Sequence, residues 1–252
     1  MSAWWVQVLV ALAGWLLVAI ASARLLRNPR GDVETGLVLW GIRVYAGLLH
    51  SLRIRGGRHI PPSRRPGPLI VVANHTAGVD PLLIQSACPF EVRWMMAEDM
   101  QVPALRGMWD WLRIIPVHRV QRSTGHPRGA DARAARLALR HLRDGGVLGV
   151  FPEGAIERPA GMLLPFLPGI GFLVRHSRAS VLPVVIAGTP QTQTAWGSLL
   201  KPSRAVVRFL PVVSYAEPPR DRMDAQQITD DLHARMAAAL TELAAEIAHR
   251  KW

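Results

Sequence analysis

The sequence is poor in cysteine, in lysine and in acidic residues. Cys88 is the only cysteine among 252 residues, which excludes an intrachain disulfide and a cysteine-ligated metal cluster. Only Lys201 and Lys251 are lysines, so arginine supplies nearly all of the formal net charge of +12. Because arginine is the better bidentate partner for phosphate, this balance favours nucleic acid, anionic lipid head groups or phosphorylated molecules as partners.

Further absences narrow the function classes. The sequence contains no G-x-S-x-G elbow, which argues against a serine hydrolase. The arginines are scattered, without an aromatic stacking platform or a helix-turn-helix signature, so we expect no nucleic-acid partner. The nine histidines lack the spacing of metal ligands, so we expect no metal site. No internal repeat is present, and the length suits one domain with a full core.

The N-terminal stretch is long, apolar and free of charge. Ala3 to Ala23 can span a bilayer core of about 30 Å. Arg24, Arg27 and Arg30 follow directly, so the positive-inside rule places the remainder of the chain in the cytoplasm. A cleaved signal peptide is the alternative, because Ala21-Ser22-Ala23 resembles a cleavage site, although no basic segment precedes the apolar stretch. We therefore predict an anchor in a bacterial-type inner (cytoplasmic) membrane.

A second apolar stretch, Gly36 to Leu52, is interrupted by Arg43 and His50. A charge in the middle of a short apolar segment is costly in lipid, which favours an interfacial or shallow re-entrant helix over a second span. The two segments together predict a hydrophobic hairpin. Residues 1–52 are therefore assigned to membrane anchoring, and residues 53–252 to a separate domain.

A short motif joins a predicted strand to a predicted helix. Leu69 to Ala73 is an apolar run typical of a buried strand, and Asp80 before Pro81 is typical of a helix N-cap. His75 and Asp80 would diverge by more than 100° on one helix, so they meet only across a turn, which Gly78 permits. The result is an oriented imidazole base without its own nucleophile. The structural alternative is a polar loop residue beside a simple N-cap.

The remaining pattern alternates strands with helices. It predicts strands at Val92–Ala97, Ile114–His118, Val147–Phe151, Val181–Ala187 and Val206–Val213. It predicts helices at Asp131–Arg143, Gly169–His176 and Asp224–His249, the last with a capping box formed by Asp224 and Gln227. Arg53 to Gly67 is predicted to be a linker. The fold class is therefore α/β, a single domain with a central mixed sheet flanked by helices.

A second motif follows the predicted strand Val147 to Phe151. The strand leads directly into Pro152, Glu153 and Gly154, which places a carboxylate and a turn at the carboxyl end of the sheet. Ligands of open α/β folds bind at this edge, so both motifs are predicted to share it. The structural alternative for Glu153 is a turn residue paired with an arginine.

This ordered pair of motifs resembles the glycerolipid acyltransferase family, whose members include 1-acylglycerol-3-phosphate O-acyltransferases. The resemblance runs from about Leu69 to Pro190 and includes an N-terminal membrane segment. The four blocks correspond to Asn74–Asp80, Ile115–Arg119, Phe151–Gly154 and Val181–Ile186.

The resemblance implies specific roles. His75 is the general base, and Asp80 orients it. A fatty acyl group passes from acyl-CoA or acyl carrier protein, as co-substrate, to a hydroxyl of a lyso-lipid, without a cofactor or metal. The implied substrate-binding residues are Asn74, Arg119, Glu153, Gly154 and Arg158.

The third block departs from the family. Members usually continue with Thr or Ser and then Arg, which is associated with the phosphate of the acceptor, whereas this chain has Ala155 and Ile156. Arg158 stands two positions late, and His118 precedes Arg119 where Asp, Asn or Arg is more common in the family. The acceptor is thus either lysophosphatidate or another lipid alcohol, such as an amino-acid lipid or a glycolipid. The remaining alternatives are a hydrolase and a non-catalytic membrane lipid-binding protein.

Overall fold

The predicted alternation of strands and helices is present in the computed structural model, which describes residues 4–118, 128–156 and 161–249. The helices are α1 (Trp4–Leu25), α2 (Val33–His50), α3 (Asp80–Ala87), α4 (Arg106–Trp111), α5 (Arg128–Arg143), α6 (Gly169–Ser177) and α7 (Ala225–His249). The strands are β1 (Arg53–Arg55), β2 (Leu69–Ala73), β3 (Arg93–Ala97), β4 (Ile115–Val117), β5 (Val147–Val150), β6 (Ser180–Ala187) and β7 (Val206–Phe209).

The strands form one sheet in the order β1-β7-β6-β2-β5-β3-β4. Only the β6–β7 pair is antiparallel among these neighbours, so the sheet is mixed, as predicted. Strand β2 lies in the interior of the sheet, and all five of its residues are buried. A continuous apolar run is what a parallel strand covered on both faces requires.

Two hydrophobic cores lie on opposite faces of the sheet. Ile70 and Val72 of β2 belong to the core beneath α5, α6 and α7, whereas Leu69 and Val71 belong to the core beneath α2 and α3. This division follows from the alternation of side chains along a strand. The capping box of α7 is also present: Asp224 N–H donates to Gln227 Oε1, and Gln227 N–H donates to Asp224 Oδ1, both at 2.8 Å.

The two N-terminal helices are packed differently. Among the described residues, α1 is the one helix long and apolar enough to cross a membrane, with a mean hydropathy of 2.2 and none of its residues buried. Helix α2 packs against α3 and buries Ala46 and His50. Between the helices, Arg30 pairs with Glu91 and lies 4.3 Å from the ring centroid of Trp111. The membrane hairpin and the division of the chain after residue 52 stay predictions.

Several predicted boundaries are wrong by a few residues. Val79, not Asp80, is the N-cap residue of α3, and Asp80 is its first helical residue. Strand β7 ends at Phe209, and Val213 forms only an isolated bridge with Val181. Pro211 lies between them and has no N–H for a ladder.

Two of these helices and strands were not predicted, α4 and β1. Strand β1 lies within the predicted linker and pairs in parallel with β7, from Arg53–Val206 to Arg55–Arg208. Three residues with an alternating basic pattern are too short for the sequence to indicate a strand.

Candidate active site

The loop between β2 and α3 brings the two predicted residues into contact. Nδ1 of His75 lies 3.0 Å from Oδ2 of Asp80. An ionised carboxylate only accepts hydrogen bonds, so His75 donates Nδ1–H and keeps the lone pair on Nε2. The Asp80 side chain is fully buried, whereas His75 exposes 19 % of its side chain. This arrangement suits an imidazole that takes a proton at Nε2.

The carboxylate of Asp80 is held by hydrogen bonds from the loop between β2 and α3. Its Oδ2 accepts hydrogen bonds from the backbone N–H of Thr76 at 2.6 Å and of Ala77 at 2.8 Å. The hydroxyl of Thr76 lies 3.3 Å from Oδ1. These donors offset the cost of burying a charge and fix the carboxylate before any substrate binds.

Gly78 serves this loop through close packing. A Cβ at Gly78 would overlap the carbonyl of Ala195, and Gly78 does not have a positive φ. The glycine is thus required by the approach of the 195 segment, which also supplies Ser198 Oγ as acceptor for Val79 N–H at 3.1 Å.

Glu153 connects the second motif to the first. Its Oε1 accepts a hydrogen bond from His75 N–H at 2.8 Å, and its Oε2 accepts one from Leu164 N–H at 3.0 Å. The residue is only 4 % exposed. The two predicted motifs therefore share one sheet edge, and the carboxylate braces the backbone on which the imidazole sits. A direct substrate contact of Glu153 stays a prediction.

Asn74 occupies the position between strand and base. It is fully buried, its Oδ1 accepts from Ile186 N–H at 2.7 Å, and its Nδ2 donates to Ile186 O at 3.0 Å. The side chain thus extends the β2–β6 pairing by one step beyond the strand. These contacts hold the start of the loop between β2 and α3 in place, and a role of Asn74 in substrate binding stays a prediction.

Gly154 forms the turn after Glu153. Its φ is +67°, and a Cβ there would lie 2.7 Å from Leu167 Cδ1, so the position favours glycine twice over. Its N–H donates to Phe151 O at 3.1 Å. That N–H donates within the turn, which weakens it as an oxyanion donor.

The N–H of Gly78 differs from that of Gly154, because it has no hydrogen-bond acceptor among the described residues.

The acceptor-side residues are only partly described. Arg119 and Arg158 lie outside the described residues. His118 Nδ1 lies 2.6 Å from Glu98 Oε2, and the two side chains are 54 % and 39 % exposed. Ala155 is exposed and Ile156 half-buried. The Glu98–His118 pair was not predicted, because it joins the ends of two strands through tertiary pairing alone.

The structure also places two aromatic rings behind the imidazole of His75. The ring of His75 stacks on Phe151, with centroids 4.1 Å apart, and Phe151 stacks on Trp94, with centroids 4.8 Å apart. The sequence motif contained Phe151, but it gave no sign that this ring touches the histidine.

A cavity of about 270 Å³ adjoins the loop on the side away from these rings. Its mainly apolar wall includes Asn74, Thr76, Thr189, Leu240, Ala244 and Ile247. The hydroxyls of Thr76 and Thr189 are hydrogen-bonded to each other at 2.6 Å. This bond connects the wall of the cavity to the loop that holds Asp80.

Comparisons with known proteins identify the family of the chain. A family model described as Acyltransferase matches residues 51–187, which is more than half of the chain. A 1-acyl-sn-glycerol-3-phosphate acyltransferase of Borreliella burgdorferi is 27 % identical over 164 residues, which cover 64 % of this chain and 57 % of that protein. The chain thus matches little more than half of the length of that relative.

A solved structure shares the fold. The crystal structure of PlsC from Thermotoga maritima, a 1-acyl-sn-glycerophosphate (LPA) acyltransferase, superposes with a TM-score of 0.65 and 22 % sequence identity. The match covers 85 % of this chain and 83 % of that one. The predicted architecture, a mixed α/β sheet flanked by helices, is confirmed.

Proposed function

Because the chain belongs to the acyltransferase family, we propose that it is a membrane-bound O-acyltransferase that moves a fatty acyl group to a hydroxyl of a lyso-lipid. The observation that carries this proposal is the 3.0 Å contact between His75 Nδ1 and the buried carboxylate of Asp80. It supplies an oriented base, and no G-x-S-x-G nucleophile accompanies it. The chemistry therefore acts on a hydroxyl group brought by the substrate.

The reaction has one proton to move and one bond to exchange. Nε2 of His75 removes the proton of the acceptor hydroxyl as its oxygen attacks the thioester carbonyl carbon. The resulting imidazolium is stabilised by Asp80. When the tetrahedral intermediate collapses, the carbon–sulfur bond breaks, and the leaving thiolate takes the proton from the imidazolium. An ester and a free thiol result, without an acyl-enzyme.

The oxyanion of that intermediate needs donors. The loop amides of Thr76 and Ala77 donate to Asp80, and that of Val79 donates to Ser198. We assign the N–H of Gly78 to the oxyanion, since it is the loop amide that these contacts leave over. The donor thioester is acyl-CoA or acyl carrier protein, and an acidic carrier would dock favourably on a chain with a net charge of +12.

The acceptor is the point at which two candidates compete. The names of the relatives favour lysophosphatidate. The Glu98 carboxylate beside His118 favours the alternative, a lipid alcohol without a phosphomonoester, such as an amino-acid lipid or a glycolipid. Ala155 and Ile156 point the same way, because neither binds phosphate through its side chain. Arg119 and Arg158 are the remaining candidates for a phosphate contact.

A single assay separates these candidates and the rival activities. Purified full-length protein is incubated with labelled acyl-CoA or acyl carrier protein and a panel of lyso-lipids, and products are read by mass spectrometry. We expect an O-acylated lipid, together with a free thiol in equal amount. Release of free fatty acid at the same rate with and without a lipid alcohol would indicate a hydrolase. Lipid binding without product would indicate a non-catalytic protein.

We place α1 across the inner membrane and the catalytic domain on the cytoplasmic side. The exposed apolar surface of α1 and the arginines that follow it, Arg24, Arg27 and Arg30, support this orientation. Deletion of residues 1–30 should release part of the protein from membranes, while α2 keeps some bound. Recovery of the truncated protein entirely as a soluble monomer would contradict the interfacial role of α2.

A further inference from the structure

Three rings form a continuous stack that ends at the base. The planes of His75 and Phe151 are inclined by 17°, and those of Phe151 and Trp94 by 13°. The centroid separations, 4.1 and 4.8 Å, are those of direct ring contact. The stack covers one face of the imidazole whose edge is bonded to Asp80.

The sheet builds this stack through a missing side chain. Trp94 of β3 pairs in register with Gly149 of β5. A Cβ at Gly149 would overlap the Trp94 indole, so the ring lies over the glycine backbone. Phe151, one residue past the end of β5, stands two residues after Gly149 and lies on the same side of the sheet as Val147. The indole thus extends across β5 to Phe151, which bridges to His75.

The hydrogen bond of His75 to Asp80 does not by itself fix the plane of the imidazole, and the stacked rings can do so. The bond from Nδ1 to Asp80 fixes one edge of the imidazole but allows the ring plane to tilt about that bond. A flat ring against its face removes this freedom. The imidazole becomes positively charged when His75 takes a proton. The π face of Phe151 that lies against it attracts this charge.

We propose that Phe151, supported by Trp94, is a positioning residue that fixes the plane of the His75 imidazole and stabilises its protonated form. This inference rests on the proposed role of His75 as general base. Misplacement of a reacting group by about 1 Å costs on the order of 100-fold in rate. We therefore expect loss of the Phe151 ring to lower kcat by about 10- to 100-fold, with KM nearly unchanged.

The test compares three substitutions in the full-length enzyme. Phe151→Leu removes the ring, whereas Phe151→Tyr keeps it and should retain most of kcat. Phe172→Leu is the matched control, because Phe172 contacts His176 on α6 with centroids 4.0 Å apart, far from the site in sequence and not part of it. This control should keep the kcat of the wild type.

An independent readout is the NMR spectrum of labelled histidine, in which the His75 ring resonances are assigned with His75→Ala. The stacked Phe151 should shift the His75 ring protons upfield, and Phe151→Leu should reverse that shift. If Phe151→Leu does not fold, Trp94→Leu provides the test, with an expected fall in kcat of about two- to tenfold.

Two results would overturn the inference. One is a kcat in Phe151→Leu, or in Trp94→Leu where that variant is used, equal to that of the wild type. The other is a His75 spectrum that these substitutions leave unchanged. Failure of the proposed function is a different outcome, since His75→Ala would then retain activity whatever the Phe151 variants do.

Discussion

The site lies at one edge of the sheet, and the polar side chains on its two sides differ in burial and in hydrogen bonding. On the base side, formed by residues 74–80 and Glu153, Asn74 and Asp80 are fully buried, and their polar atoms are hydrogen-bonded to the loop or to neighbouring strands. On the acceptor side, formed by Glu98, His118, Ala155 and Ile156, the two ionic side chains, those of His118 and Glu98, are partly exposed to solvent.

This difference in burial predicts different effects of substitutions on the two sides. The base side is determined by buried contacts, where a changed residue leaves unpaired groups behind at a cost of about 1–3 kcal/mol each. On the acceptor side the ion pair between His118 and Glu98 is accessible to solvent, and such a pair contributes only about 0–1 kcal/mol to stability. We therefore expect substitutions on the acceptor side to leave the fold intact, and it is on this side that the chain departs from the family pattern.

The largest effect should come from removing the base itself. His75→Ala should lower acyl transfer by at least about 100-fold, because general bases contribute roughly 10²–10⁴-fold. The side chain lies in a loop, so the protein should remain folded, as judged by its Tm. His176→Ala, on α6, is the matched control and should leave the rate unchanged. A His75→Ala variant with most of its activity would refute the proposed mechanism.

The next effect concerns stability on the base side. Asn74→Ala leaves the N–H and the carbonyl of Ile186 without their buried partner. Since each of these two unpaired groups costs about 1–3 kcal/mol, we expect a loss of about 2–6 kcal/mol in the free energy of unfolding, measured by denaturant titration. Glu98→Gln on the acceptor side is the comparison and should change stability by less than about 1 kcal/mol. If Asn74→Ala and Glu98→Gln lowered the free energy of unfolding equally, the two sides would not differ in their contribution to stability.

The sequence predicted the base side well, because its features are local. An apolar run and the pair Asp80-Pro81 were sufficient to predict strand β2 and helix α3, and the five-residue spacing allowed the contact of His75 with Asp80 that the family resemblance implies. What it missed depends on residues distant in the chain. The bonds of Glu153 to His75 and of Asn74 to Ile186 join residues 78 and 112 positions apart.

The aromatic stack and strand β1 were missed for the same reason. Trp94 reaches Phe151 only because β3 and β5 are neighbours in register and Gly149 leaves the space between them. Strand β1 exists only because β7 lies beside it. No local pattern carries information about strand order, so contacts that depend on it cannot be read from one sequence.

The smallest effect, and the sharpest test of the acceptor side, is a change of preference. Ile156→Arg restores the charge that the family resemblance implies at this position. A charge-assisted contact to phosphate contributes about 1.5–3 kcal/mol, so lysophosphatidate should gain about tenfold or more in kcat/KM. The gain should appear mainly in KM, because the contact holds the acceptor equally before and during the reaction.

The wild-type protein provides the reference for that change. In a competition at equal concentrations, we expect a lipid alcohol without a phosphomonoester to be acylated in preference to lysophosphatidate. Glu98→Gln, which removes a carboxylate from the same exposed side, should move this preference a few-fold toward the phosphate-bearing acceptor, since an exposed charge acts weakly. Ile156→Leu keeps an apolar side chain of the same size and should leave the preference unchanged. A wild type that clearly prefers lysophosphatidate would show that an arginine elsewhere already supplies the contact, and Ile156→Arg would then add little.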